Sequence, residues 1–177
     1  MPRRGRQDGL AALARGVQRL NSSGCVGTGS AAMAYRAAEG AAPASLAGVA
    51  LPASVSYRHV TDEFGFSWVE LTSGSDDDLV PALVAVAAAV ADPDAGAGDP
   101  LCALMGWRGP AGRLFAIVFR FDTGTFYPFV PELDADADTR QRDNLTELRL
   151  RDLLDWTLPM ERDLRLWGAL WDAPGLR

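Results

Sequence analysis

From Leu101 to Val130 the chain carries three strongly apolar runs with very short connections between them. Leu101–Arg108 and Leu114–Phe121 are separated by a turn at Gly109-Pro110-Ala111-Gly112, and Asp122-Thr123-Gly124 leads into Thr125–Val130. A parallel pair of strands needs a crossover of about a dozen residues or more, so connections this short force an antiparallel meander. Within Leu114–Phe121, Phe115, Ile117, Phe119 and Phe121 fall on one side, the two-residue period of a strand. Pro128 has no N–H to give to a ladder, which suggests an edge strand or an early end to pairing in the last run. Gly106 marks a candidate bulge in the first.

A second hairpin precedes the meander. Ser54–Val60 alternates, with Val55, Tyr57 and His59 on one side. A turn near Asp62-Glu63 leads into Phe64–Thr72, where Phe64, Phe66 and Trp68 share a face. Three segments carry helical spacing. Leu10, Leu13, Val17 and Leu20 mark an amphipathic helix over 7–20, with Asp8 as its cap and Arg15 and Arg19 off the apolar face. Asp76-Asp77-Asp78 opens a helix whose stripe is Leu79, Leu83, Val86 and Val90; acids there complement the helix dipole, so the run is read as a helix start and not a metal site. Asn144-Leu145-Thr146-Glu147 resembles a capping box, and a helix is expected from there to about Asp155.

The fold class is therefore α+β: an antiparallel sheet of about five strands flanked by helices, in an order similar to secretion-chaperone-like folds. With 177 residues the chain suits a single domain, 1–177. Within it, residues 1–30 read as a helical arm plus a Gly/Ser linker, and 31–53 are ambiguous between strand and helix.

Composition narrows the chemistry. All 17 basic residues are arginine, and there is one histidine, His59, and two cysteines, Cys25 and Cys102. Without lysine there is no phosphate-loop or Schiff-base lysine, and one histidine excludes a two-histidine zinc site. Cys25 and Cys102 match no metal or redox spacing and read as reduced thiols. His59 lies mid-strand with no nucleophile motif around it and is expected to pack structurally. Asp134, Asp136 and Asp138 have the spacing that starts a calcium loop, but Thr139 holds the glycine position and Leu145 the position of the bidentate glutamate. No catalytic residue, metal or cofactor is expected.

The formal net charge is −6, which argues against nucleic acid as a partner. Six arginines face Asp8 and Glu39 within residues 1–40, while residues 61–100 carry nine acids and no base. The longest apolar run, Leu79–Ala91, is shorter than the roughly 18 residues a membrane span needs, and the basic N-terminus is followed by no signal-peptide core. A cytoplasmic protein is expected, with contact to the inner face of the membrane at most peripheral or indirect. Two surfaces are candidates for a partner: Phe126-Tyr127-Pro128-Phe129, if that aromatic edge is exposed, and Arg15 with Arg19 on the N-terminal helix.

Several segments together carry a resemblance: Tyr35-Arg36-Ala37-Ala38-Glu39-Gly40, Phe64-Gly65-Phe66-Ser67-Trp68, Gly124-Thr125-Phe126-Tyr127-Pro128-Phe129-Val130-Pro131, Arg142-Asp143-Asn144 with Glu147-Leu148, and Trp171-Asp172-Ala173-Pro174-Gly175-Leu176. In this order they resemble the PspAB family, the phage-shock-protein-A-associated proteins of actinobacteria and some archaea. The resemblance runs from about residue 30 to the C-terminus, and the first 25 residues depart from it. It implies a non-enzymatic partner-binding protein acting with a phage-shock protein A homologue in envelope stress. The alternative is a small-ligand sensor or enzyme with a pocket near the sheet and the C-terminal tail.

Overall fold

The computed structural model describes residues 9–38, 43–92, 94, 98–132 and 140–176. Asp8, Glu39 and Asp134–Asp138, which carry the expected cap, a charge of the N-terminal region and the calcium-like spacing, lie outside the described residues. The elements in chain order are α1 (Leu13–Ser22), β1 (Val26–Ala37), β2 (Ser56–Thr61), β3 (Ser67–Thr72), α2 (Asp76–Val90), β4 (Gly98–Arg108), β5 (Leu114–Arg120), β6 (Thr125–Phe129), β7 (Pro131–Glu132), β8 (Gln141–Arg142) and α3 (Asn144–Leu154), followed by a 3-10 turn at Leu164–Leu166.

Six strands form one antiparallel sheet in the order β2-β3-β1-β4-β5-β6, and β7 pairs with β8. The β4-β5-β6 meander and the β2-β3 hairpin are as the connections require. The additional strand is β1, and it is central. Its first residues, Val26–Ser30, are sheet and not linker. The strand is built from small residues: Ala31 and Met33 face the helices while Ala32 and Ala34 face the opposite side, all buried. A strand covered on both faces has no polar alternation to reveal it, and alanine and glycine have weak strand preference.

The two faces have separate cores. On one, α2 packs on β1, β3 and β4, and α1 packs against α2. Leu79, Leu83, Val86 and Val90 are all buried there, each contributing about 1.5–3 kcal/mol of apolar transfer. Leu10, Leu13, Val17 and Leu20 bury the apolar side of α1. On the other face lies the C-terminal tail, whose Trp167, Ala173 and Leu176 pack with Ala32, Leu104, Val118 and Phe129.

The tail reaches the sheet through two glycines. A Cβ on Gly106 would stand 2.6 Å from the Gly175 carbonyl oxygen and 2.6 Å from Thr28 Oγ1. Gly106 pairs regularly with Ala116, so it is not a bulge; the β1-β4 register shifts instead between Gly27 and Ala31 and again between Ala34 and Tyr35. Gly175 itself has φ +84° and a Cβ there would meet backbone atoms of Ala31 and Ala32 at 2.7 Å.

Helix starts differ in detail from the expected caps. Asp143, one residue before Asn144, caps α3: its Oδ1 accepts from Thr146 N (2.9 Å) and its Oδ2 from Thr146 Oγ1 (2.6 Å). In α2 the acids of the first turn are used locally. Asp76 accepts from the Gly27 N–H, and Asp78 Oδ2 accepts from Ser54 Oγ at 2.6 Å.

Candidate functional site

The aromatic run in β6 is not an exposed edge. Phe126, Tyr127 and Phe129 are buried, and so is Pro128. Phe126 faces the helix side beside Phe119, at 4.8 Å between ring centroids, while Tyr127 stacks with Trp167 and Phe129 meets Trp171 edge-on at 5.1 Å. The backbone edge is closed too. Phe126 donates to the Pro159 carbonyl (2.9 Å) and accepts from Glu161 N–H (2.7 Å). Pro128 shares the outward parity of Phe126, so its missing N–H costs the ladder nothing. The next outward donor, Val130 N–H, is taken by Glu147 Oε1 at 2.9 Å. The run is core, covered by residues 159–161 and the tail, and offers no free surface to a partner.

Arg15 and Arg19 are exposed and lie side by side on α1. Arg15 Nε donates to the Thr157 carbonyl and Arg19 Nε to the Leu153 carbonyl, both at 3.4 Å. These carbonyls belong to the end of α3 and the turn after it, where the negative end of the helix dipole favours a cation. Between them stands Trp156, 97% exposed. Its mount is rigid. Leu154 and Leu158 on either side are buried, and Thr157 N and Leu158 N both donate to the Leu154 carbonyl at 2.8 Å. α1 closes on this turn through Gly16, where a Cβ would stand 2.9 Å from Leu158 Cδ1. Sequence spacing singled out the arginines but not Trp156, which follows the helix expected to end near Asp155. The Pro159 that ends the helix is the one signal that the chain turns and leaves it outside.

His59, the two cysteines and the buried acids each have a definite local setting. His59 is exposed on the edge strand β2, beside the Tyr57 ring at 5.8 Å, and not in packing as expected. The reason is that β2 is the outermost strand of the sheet, with every residue but Val60 exposed. Cys25 and Cys102 are free, and burial pushes both thiols up, Cys102 to about 12. Glu147, 2% exposed, is pushed up by burial while Val130 N–H and Arg142 Nε (2.9 Å) hold its Oε1. Glu161 is held down by the Asp163 N–H and by Thr125 Oγ1 at 2.7 Å. Among the described residues no group of three or more histidine, cysteine or acidic side chains has the geometry to hold a metal ion.

Two of the cavities among the described residues border the tail side of the sheet. One, of about 510 Å³, is bordered by Cys102, Arg120, Asp122, Tyr127 and Gly168. Arg120 is committed there to Asp122 and to the Leu166 carbonyl, and burial pushes the Tyr127 hydroxyl up. The other, of about 460 Å³, opens between the β2-β3 turn and the tail, with Phe66, Trp68 and Trp171 in its lining. His59 borders neither.

The fold and these surfaces define an α+β protein in which one sheet carries helices on one side and its own C-terminal tail on the other. The chain belongs to the PspAB family, described as PspA associated protein B, whose pattern matches residues 2–175. The match includes the first 25 residues, so the family likeness is nearly the full chain and does not begin near residue 30. Neither a curated protein nor a solved structure matches the chain. Among the described residues no helix is long and apolar enough to cross a membrane.

Proposed function

We propose that this chain is a non-enzymatic binding protein that acts with a phage-shock protein A homologue in the envelope-stress response. Family membership supports this partner, since the family is described as PspA associated protein B. The face that we assign to the contact is the junction of α1 with the end of α3. The observation that carries this assignment is Trp156, a tryptophan 97% exposed on the turn whose Leu153 and Thr157 carbonyls accept from Arg19 and Arg15. Tryptophan and arginine dominate interface hot spots because they bring large area and directed donors at low entropy cost. The absence of catalytic work in this reading is supported by the thiols that burial keeps protonated and by Glu147, which backbone and arginine donors occupy. In this reading the protein works in the cytoplasm and meets the membrane only through its partner.

Co-purification of the full chain with the cognate phage-shock protein A, at micromolar concentration and low salt, tests it. Retention by the wild type and loss with Trp156→Ala supports the reading. A pair that stays apart overturns it, and a pair retained unchanged by Trp156→Ala overturns the assigned face.

A further inference from the structure

The groove between the β2-β3 turn and the tail lies on the opposite side of the sheet from α1 and carries a different chemistry. Four aromatic side chains line it: Phe64, Phe66 and Trp68 from the hairpin, and Trp171 from the tail. Four carboxylates face two arginines in the same lining. Both arginines are already matched, Arg58 to Glu70 and Arg140 to Asp172 at 2.9 Å. That leaves Asp62 and Glu63 as the uncompensated charges; neither makes an ion pair among the described residues.

The walls are held in place before any ligand arrives. Asp62 Oδ1 accepts from Phe64 N (3.0 Å) and Phe66 N (2.9 Å), and its Oδ2 accepts from Trp68 Nε1 at 2.8 Å. This locks the turn and the Trp68 ring together. Phe64, 74% exposed, is thereby kept at the mouth instead of packing into the core. Trp171 is fixed from the other side by its edge-on contact with Phe129. The protein already uses the chemistry next door: the Arg142 guanidinium sits 5.1 Å from the centroid of that same Phe129 ring.

We propose that this groove is a binding site for a small organic cation, an alkylated ammonium or a guanidinium compound. Aromatic faces attract weakly hydrated cations, and the attraction grows as the site is desolvated. The net negative charge of the lining selects the sign, and Asp62 and Glu63 at the turn supply it without a competing arginine. A volume of about 460 Å³ is in the range of small-ligand sites. Both carboxylate oxygens of Asp62 are occupied by N–H donors, so a hard metal ion that needs several free oxygens is poorly served, while a diffuse cation needs only the field and the rings. The site lies on the other face of the sheet from Trp156 and does not depend on the partner reading.

The experiment follows the indole N–H signals of the full-length chain by NMR, each assigned by a Trp→Phe variant, during titration with choline or with agmatine. Glutarate serves as the anionic control and a short arginine peptide as the macromolecular one. The expected result is a saturable shift of the Trp171 and Trp68 signals in the millimolar range or below with at least one free cation. Trp156 stays unmoved and glutarate has no effect. Trp171→Leu and, separately, Glu63→Gln weaken binding about fivefold or more with the remaining indole signals still dispersed. No saturation with either free cation, equal shifts with glutarate, binding of the peptide alone, or unchanged affinity in both variants overturns the proposal.

Discussion

The Gly175 carbonyl oxygen stands 2.6 Å from the point that a Cβ on Gly106 would occupy. The tail therefore touches the middle of the sheet at a place where only hydrogen fits, and Ala32 and Ala34 on β1 keep the surrounding floor low. The same approach brings Gly175 N–H to Glu70 Oε1 at 3.4 Å, so the tail is tied to a buried acid as well as packed.

Gly106→Ala is expected to push the tail off this seat. Overpacking at a backbone contact costs about 1–3 kcal/mol, because a carbonyl cannot rotate away as a side chain does. Limited proteolysis should then cleave near residues 168–176 before the sheet opens, with a lower urea midpoint. Unchanged protection of the tail would refute the role given to this contact.

Glu147 and Arg142 form the next weak point. Glu147→Ala leaves Arg142 partly buried without its carboxylate and Val130 N–H without an acceptor, a loss of about 3 kcal/mol or more. Urea midpoints of the variant and of the double change with Arg142→Met check it; the double variant should recover part of the loss.

The same site sets a pH signature. Burial raises the Glu147 carboxyl, so the native state holds its proton more tightly than the unfolded chain. Stability therefore falls as pH rises from about 4.3 through the folded value, and is flat above it. Asp122, Asp143 and Glu161 work the other way. Arg120, Thr146 and the Asp163 N–H respectively hold them low, so their contribution is full above about pH 4 and is lost as pH falls through their folded values. Urea midpoints against pH should show an acid limb that Glu147→Gln leaves intact and a descending limb on the alkaline side that it removes. An unaltered descending limb would assign it to another group.

How far the sequence spoke depended on whether side-chain size or polarity carried a period. The stripe of α2 and the apolar side of α1 each have a distinct opposite side, and along β5 to Phe121, though both faces are buried, large Phe115, Ile117, Phe119 and Phe121 alternate with smaller Ala116 and Val118, so periodicity exposes all three. The middle of the central strand β1 is covered on both faces and the strand is rich in alanine and glycine, so it carried no period: its start to Ser30 read as linker and the part from Ala31 as ambiguous between strand and helix. Pro128 correctly marked β6 as an edge, but only tertiary structure shows that Pro159, Glu161 and Glu147 close that edge and bury its aromatics. Trp156 was illegible for the opposite reason. Its neighbours Leu154 and Leu158 are core, and nothing local says that the turn between them points its largest side chain into solvent.

Cys102 borders a cavity yet should be chemically quiet. Burial moves its thiol to about 12, which leaves on the order of one thiolate in ten thousand at pH 8. Iodoacetamide should modify the native chain slowly at Cys102, and fast only once denaturant unfolds the sheet. Mass spectrometry of the modified peptide against urea concentration reads this directly. Rapid native modification would mean that the cavity opens to solvent more than its lining implies.

Trp156→Ala separates surface from fold most cleanly. The ring is 97% exposed and Leu154 and Leu158 do the packing around it, so the urea midpoint should move by no more than about 0.5 kcal/mol equivalent. Affinity for phage-shock protein A should fall by about thirtyfold or more, the loss typical of a tryptophan at an interface centre. Arg15→Ala with Arg19→Ala should act differently. Each removes a donor to a carbonyl at the end of α3, so the pair is expected to cost about 1 kcal/mol of stability and to make binding less salt-dependent. Calorimetric titration of the three chains at two salt concentrations distinguishes the roles. If the arginine variant loses binding while Trp156→Ala keeps it, the contact is electrostatic and the ring is not its anchor.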